Sequence, residues 1–539
     1  MGRIPEIKIS RFDGGIVNDP RIEDFRFAQL IKNFDAHTYA RKLVPYRSSE
    51  SGDSAPSTSK KQNFAVALRT GTTYSLYALG VKDSVTNAEI LYKDLTQTST
   101  NDLSDDGWAA PSANQSANTF TWFELFVYYR KTGLIYGGRG SSATAGTNFW
   151  AFSPTGTAFD ENSLTVTFTH LGQGLVHSKD DILYVPYYNN GGAAGAKSRI
   201  AKNDNGSWTA AALSLPDAFI PTSICEFGNY LAISCRPASE IGKSVVYLWD
   251  RDATLTTLAE AIDFGEGNLQ ILEEVEGHLI GISKQGVGSS GQTNRFSGQI
   301  TIRQYSGGTA QVLKTFISGS GNVVANDAVL SIFKQKVDHF LYFLMEIGIG
   351  GSNAAHNQQG IWKIGRVSPD APFALTFDRA ANNDVSGTYV MKAFQIVGDY
   401  VFLSYTSGGT FALDKTNNNE TYANDNFSYY DTQIFNLGDS SLTKKLLGTT
   451  VFTEALGGTQ SIVVAYRKDE DITSGTGAWT TISTHTTANS ISRSAINIES
   501  SGANLPEFKE IQFRITSELG AKAITGFKFK AELVDKDMY

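Results

Sequence analysis

The chain has 539 residues, a formal net charge of −8, 41% apolar residues and 19% charged ones. This is the balance of a folded protein too long for one ordinary core, and it excludes a disordered chain. Without a Lys/Arg cluster, a disulfide framework (two cysteines) or a run near ~18 apolar residues, a nucleic-acid groove, a disulfide-stapled scaffold and a membrane span are not expected.

In chain order, "MGRIPEIKIS" lacks the apolar core of a signal peptide, which fits synthesis in a cytoplasm. Asp13-Gly14-Gly15 and Asn18-Asp19-Pro20 are turn chemistry. "IEDFRFAQLIKNF" (22–34) is the one window with a helix-like pattern. Phe25, Phe27, Leu30, Ile31 and Phe34 are too many large apolar groups for a free tail, so they must dock. They pack either on this chain or, as an assembly arm, on a neighbouring subunit. A Ser-rich linker follows at 48–61, and residues 1–62 are taken as arm and linker.

From 63 to 440 the chain repeats. Gly133, Asp181, Asn229 and Gly277 each open an apolar run, at intervals of 48 residues. Asp338 and Asp399 open similar runs at intervals of 61, and "TTYSLYALG" (72–80) supplies an earlier copy. Each run is preceded by a strand-like segment such as "LQILEEVEG" and followed by one such as "ITIRQYSGG", in which apolar and polar residues alternate. Four antiparallel strands per ~40–50 residues are the mark of a propeller blade. The expected fold is therefore all-β, a roughly seven-bladed β-propeller; two β-sandwiches are the alternative and do not explain three features repeating in phase. Leu231 and Leu279 should occupy equivalent core positions, and Cys225 and Cys235 should be small core residues.

Residues 441–539 lose the repeat. In "EIQFRI" (510–515), Ile511, Phe513 and Ile515 face one way and Gln512, Arg514 and Thr516 the other, the pattern of a sheet with one wet face. A C-terminal β-sandwich of about 100 residues is expected.

The chemistry is sparse. The seven histidines form no metal-binding pair, and His278 and His339 are read as filling one repeated slot, shared with Tyr230 and Tyr400. There is no nucleophile elbow and no phosphate loop; "GVGSSGQ" (286–292) and "SGSGN" (318–322) read as surface loops. Glu226, Glu273, Glu274, Asp180 and Asp181 are the carboxylates a propeller glycosidase would need, but each sits at a hairpin turn. "KNDNGSW" (202–208) partly matches a sialidase-type turn, with Trp208 one residue early. "DKTNNNETYANDN" (414–426) is rich in oxygen ligands yet lacks the order of a calcium loop. No catalytic, metal or cofactor-binding residue is assigned.

The opening "FDGGIVNDPRIEDFRFAQLIKNFDAHTYARKLVPY" (12–46), together with "EIQFRI" and "ITGFKF" near the C-terminus, resembles tailed-bacteriophage virion proteins of the tail nozzle or tail-tip type. The resemblance implies a non-enzymatic structural component, assembled as a symmetric homo-oligomeric ring around the DNA exit channel. Other virion tail proteins would be its partners, DNA would pass transiently through the ring, and the protein would reside in the tail. The alternative is a glycan-binding or glycan-cleaving propeller for host-surface recognition with a carbohydrate-binding sandwich, suggested by Tyr187, Tyr188, Trp208 and Tyr429.

Overall fold

A computed structural model describes residues 6–16, 24–32, 34–36, 41–45, 49–51, 64–71, 73–80, 89–94, 124–138, 149–155, 159–160, 163–191, 195, 197–239, 241–252, 258–285, 299–316, 330–347, 358–366, 368–380, 389–398, 400–407, 410–417, 428–438, 440–473, 479–488, 492–493, 506–518 and 523–534. The loops at 286–292 and 318–322, most of the Ser-rich linker and most of 414–426 lie outside these residues. The fold is all-β: among the described residues the regular structure is strand throughout, apart from one short helix at Asp469–Thr473. The chain divides into two compact units, one formed by residues 50–350 and 387–415, the other by 1–49, 351–386 and 416–539. The division cuts across the boundaries expected at 62 and 440.

The first unit is the propeller. Seven inner strands follow one another: Phe64–Thr70, Leu125–Tyr129, the interrupted strand at 170–176, Phe219–Phe227, Asn268–Val275, Leu330–Val337 and Tyr389–Val397. Each turns back into a second antiparallel strand. Tyr389–Val397 packs against both Leu330–Val337 and Phe64–Thr70, so the ring closes on itself. The last blade takes Ser49–Ser51 as its outermost strand, which makes part of the expected linker a sheet edge.

The periodic turns exist for a backbone reason. Positive φ occurs at Gly71, Gly133, Asp181, Gly228, Glu276, Gly277, Asp338 and Gly398, all between an inner strand and its partner. Tight hairpins need this geometry, and Gly, Asn and Asp reach it most cheaply. Leu231 and Leu279 open equivalent second strands and are fully buried. Cys225 and Cys235 are buried, and burial pushes both thiols up. The slot proposed for His278 and His339 needs correction. Val275 pairs with His278 and Val337 with Phe340, so His278 matches Phe340, while His339 lies in the turn itself.

The second unit is a sandwich, and it draws strands from both ends of the chain. One sheet runs Glu6–Ile9, Ile524–Leu533, Lys444–Thr453, Ser492–Arg493. The other includes Ala374–Ala380, Leu30–Lys32, Ser428–Asp431, Ile511–Glu518, Ser461–Lys468 and Thr480–His485 in that order. Ile511, Phe513 and Ile515 face inward as expected, and the Phe513 ring lies 4.8 Å from Phe529 and 5.1 Å from Phe527 across the sandwich. The opposite face is not uniformly wet: Gln512 is fully buried, donating to the Thr432 carbonyl at 2.7 Å and to Gln29.

The N-terminal segment is strand, not helix. Leu30–Lys32 inserts between two neighbours, antiparallel to Ser428–Asp431 (Ile31 opposite Tyr430) and parallel to Ala374–Ala380 (Lys32 opposite Phe377). Its backbone groups are satisfied by neighbouring strands rather than by a helical ladder, and a strand between two others can be apolar without helical spacing. Of the five expected arm residues, Ile31 and Phe34 are fully buried within this unit. Phe25 and Phe27 are half-buried, and the Phe25 ring stands 5.6 Å from Phe435. The Leu30 backbone is in the sheet; its side chain lies outside what is described. The Gly14-Gly15 turn is needed for packing: Gly15 has φ +70, and a Cβ there would stand 2.7 Å from the Leu375 nitrogen.

Candidate functional site

Where propellers act on ligands, the chemistry gathers at an end of the central channel, because only there do all blades converge. At the end where the inner strands turn, this propeller brings together four of the five carboxylates singled out from sequence. Each is engaged by a polar group of an adjacent blade.

Glu273, on the inner strand Asn268–Val275, meets Lys334 of the next inner strand at 2.8 Å; their side chains are only 16% and 10% exposed. The Lys334 ammonium also donates to the carbonyl of Ile224 at 3.0 Å and to that of Leu272. One side chain thus joins three blades. Hairpin geometry places Lys334 where Ile224 and Leu272 stand in the two preceding blades. Glu274 pairs with Lys336 of the same neighbour. On the other side, Gln335 exchanges hydrogen bonds with the Ile396 backbone at 2.7 and 2.8 Å. Gln173 performs the same task earlier in the ring: its backbone bonds Thr222 and Ile224, and its side chain donates to the Glu124 carbonyl.

Glu226 accepts from the Ser178 hydroxyl at 2.6 Å. Beside it His177, 1% exposed, holds Nδ1 2.9 Å from Asp180 Oδ1 and accepts at Nε2 from the Arg251 guanidinium at 2.6 Å. Arg251 Nε reaches Asp180 Oδ2 at 3.2 Å, as does the Tyr184 hydroxyl. Burial, with Asp180 beside it, holds the Tyr184 phenol above its usual range. Asp181 contributes its backbone instead: its carbonyl accepts from the Tyr129 hydroxyl at 2.6 Å. A glycosidase needs one carboxyl free to deliver a proton and a second facing substrate or water. Here each of the four carboxylates is bonded to a polar group of an adjacent blade.

The remaining sequence candidates also have partners within the chain. Asp204 pairs with Lys131 at 2.7 Å, and the Trp208 indole donates to Ser163 at 3.2 Å while packing edge-on against Phe149. Tyr187, Tyr188 and Tyr429, expected in loops and turns, lie in strands and are buried. Among the described residues no group of three His, Cys, Asp or Glu side chains is placed to hold a metal ion. His278 Nδ1 lies 3.1 Å from Gln304 Nε2; His339 is exposed and 3.4 Å from Glu276. His37 and His356 lie outside the described residues.

His170 gives a measurable pH effect. Burial, with Arg236 nearby, lowers its pKa from 6.5 to about 4. Between those values the unfolded chain binds the proton and the folded one does not, so stability falls as pH drops through that window. Urea midpoints should fall less between pH 7 and pH 4.5 in His170→Gln than in the unaltered protein; equal falls would contradict the assignment.

Sequence reasoning found these carboxylates but missed their partners. Lys334 could have been flagged as a lysine in a slot that is apolar in two other repeats. The His177–Arg251 contact joins residues 74 positions apart and leaves no local signal.

No protein-family model matches the chain, and no curated protein matches it in sequence. Solved structures match at low similarity. The WD40 domain of Neurospora crassa Pan2 is 10% identical with a TM-score of 0.37, the match covering 68% of this chain and 91% of that one. An exo-β-1,3-galactanase from Phanerochaete chrysosporium is 12% identical with a TM-score of 0.27, covering 90% of this chain and 100% of that one. A glycoside hydrolase is 10% identical with a TM-score of 0.25, covering 88% and 99%. Likeness at this level transfers no activity to this chain.

Proposed function

We propose that this chain is a non-enzymatic structural protein of a tailed-phage virion, a nozzle-like or hub-like tail component assembling in several copies around the DNA exit channel. The observation supporting the non-enzymatic reading is the commitment of Glu226, Glu273, Glu274 and Asp180 to cross-blade bonds, with Lys334 tying three inner strands together. The tail reading rests on the resemblance in residues 12–46. Because Ile31 and Phe34 are spent inside their own unit, assembly would not use those two residues. Mass spectrometry and cryo-electron microscopy of purified particles test the reading. The expected result is this chain in the tail in a symmetric copy number. A strictly monomeric protein absent from every particle would contradict it.

A further inference from the structure

The sandwich unit carries a polar cluster that neither ring closure nor the tail reading uses. On Ile511–Glu518, Arg514 makes a two-point ion pair with Asp431, Nε to Oδ1 at 2.6 Å and a terminal nitrogen to Oδ2 at 2.7 Å. Its guanidinium carbon stands 4.1 Å from the centre of the Tyr429 ring and 4.3 Å from that of Trp479. On the adjacent strand Ser461–Lys468, Arg467 stands 4.7 Å from the same Trp479 ring and donates from Nε to Gln512 Oε1 at 2.7 Å.

Arg467 is the unusual member. A guanidinium carries five N–H donors, and among the described residues only Nε–H meets an acceptor. Its carboxylate neighbours Asp431 and Asp471 act on it only through the electrostatic field, Asp431 being bonded to Arg514. Burial lowers the Arg467 pKa, with Asp431 and Asp471 opposing that effect and Arg514 adding to it. Its terminal nitrogens, half-buried, are donors left for a ligand oxygen. The cluster is thus rich in donors and bounded by a half-buried ring.

We propose that this cluster is a binding site for the carboxylate of an acidic sugar, with Arg467 gripping the carboxylate and Trp479 packing against the sugar ring. The planar fork of arginine matches a carboxylate bidentately, and an indole offers a ring-sized amphipathic surface. The net charge of −8 repels long polyanions, which favours a small ligand of single charge over a nucleic acid. The proposal is independent of the tail assignment.

Titration of the full chain with sodium glucuronate, followed by tryptophan fluorescence and calorimetry, tests it. Glucuronate should bind saturably and at least tenfold more tightly than glucose, acetate or inorganic phosphate. Arg467→Gln should weaken glucuronate binding tenfold or more while the chain keeps a cooperative melting transition. Arg467→Lys, which keeps the charge but not the fork, should weaken it less; if the glutamine variant does not fold, the lysine variant carries the test. Absence of saturation, equal binding of glucose, acetate or phosphate, or titration unchanged in the Arg467 variants would overturn the proposal.

Discussion

Replacing Lys334 by alanine should destabilise the protein by about 3–5 kcal/mol, the cost of leaving one partner of a buried ion pair without the other. The expectation follows from position. Lys334 and Glu273 are 10% and 16% exposed, and the ammonium also supplies the donor for two carbonyls of neighbouring inner strands. Removing it leaves a largely buried carboxylate unpaired and two backbone acceptors without this donor. The double variant Lys334→Met, Glu273→Leu should lose much less, because no unpaired charge remains. Urea midpoints of the single and double variants measure the difference. A single variant within 1 kcal/mol of the unaltered protein would mean that water, not Lys334, satisfies Glu273.

Phe34→Ala should cost a similar amount, about 3–5 kcal/mol, in a fully buried position. The strand Phe34–Asp35 packs on Ala374–Ala380 and on Ser428–Asp431 in the same unit, and Phe34 pairs with Pro45. This substitution separates the two ways the N-terminal apolar residues could be satisfied. Residues built into their own core lower the stability of the isolated chain at any protein concentration. Residues reserved for a neighbouring subunit would leave it unchanged and weaken association instead. The structure predicts the first outcome, measured by urea unfolding at two concentrations tenfold apart.

The parts legible in sequence were those with a local cause. Tight turns demand positive φ, so Gly133, Gly277 and Asp338 advertise the hairpins, and the 48-residue interval follows. Alternation in "EIQFRI" advertises the inward face of the sandwich, since Ile511, Phe513 and Ile515 are all fully buried. What stayed hidden has distant causes. Leu30 pairs with Asp431, some 400 residues away, and a three-residue strand between two others has too few positions to show a period. Gln512 reads as solvent-facing because glutamine usually is; its burial depends on Thr432 and Gln29, brought in from elsewhere in the chain. The channel-end carboxylates were visible as residues, but their role depends on cations from adjacent blades. Only the packing of consecutive blades places Lys334 beside Glu273 and Arg251 beside Asp180.

Hydrolysis is where the reading of that channel end is most exposed to test. The purified chain should be assayed against a panel of polysaccharides and aryl glycosides from pH 4 to pH 8, with Glu273→Gln and Asp180→Asn as controls. The account predicts no turnover above background for any of the three proteins, and lower stability for both variants. Turnover by the unaltered protein that disappears in a folded Glu273→Gln or Asp180→Asn variant would contradict it, because the carboxylates assigned to ring closure would then be performing catalysis.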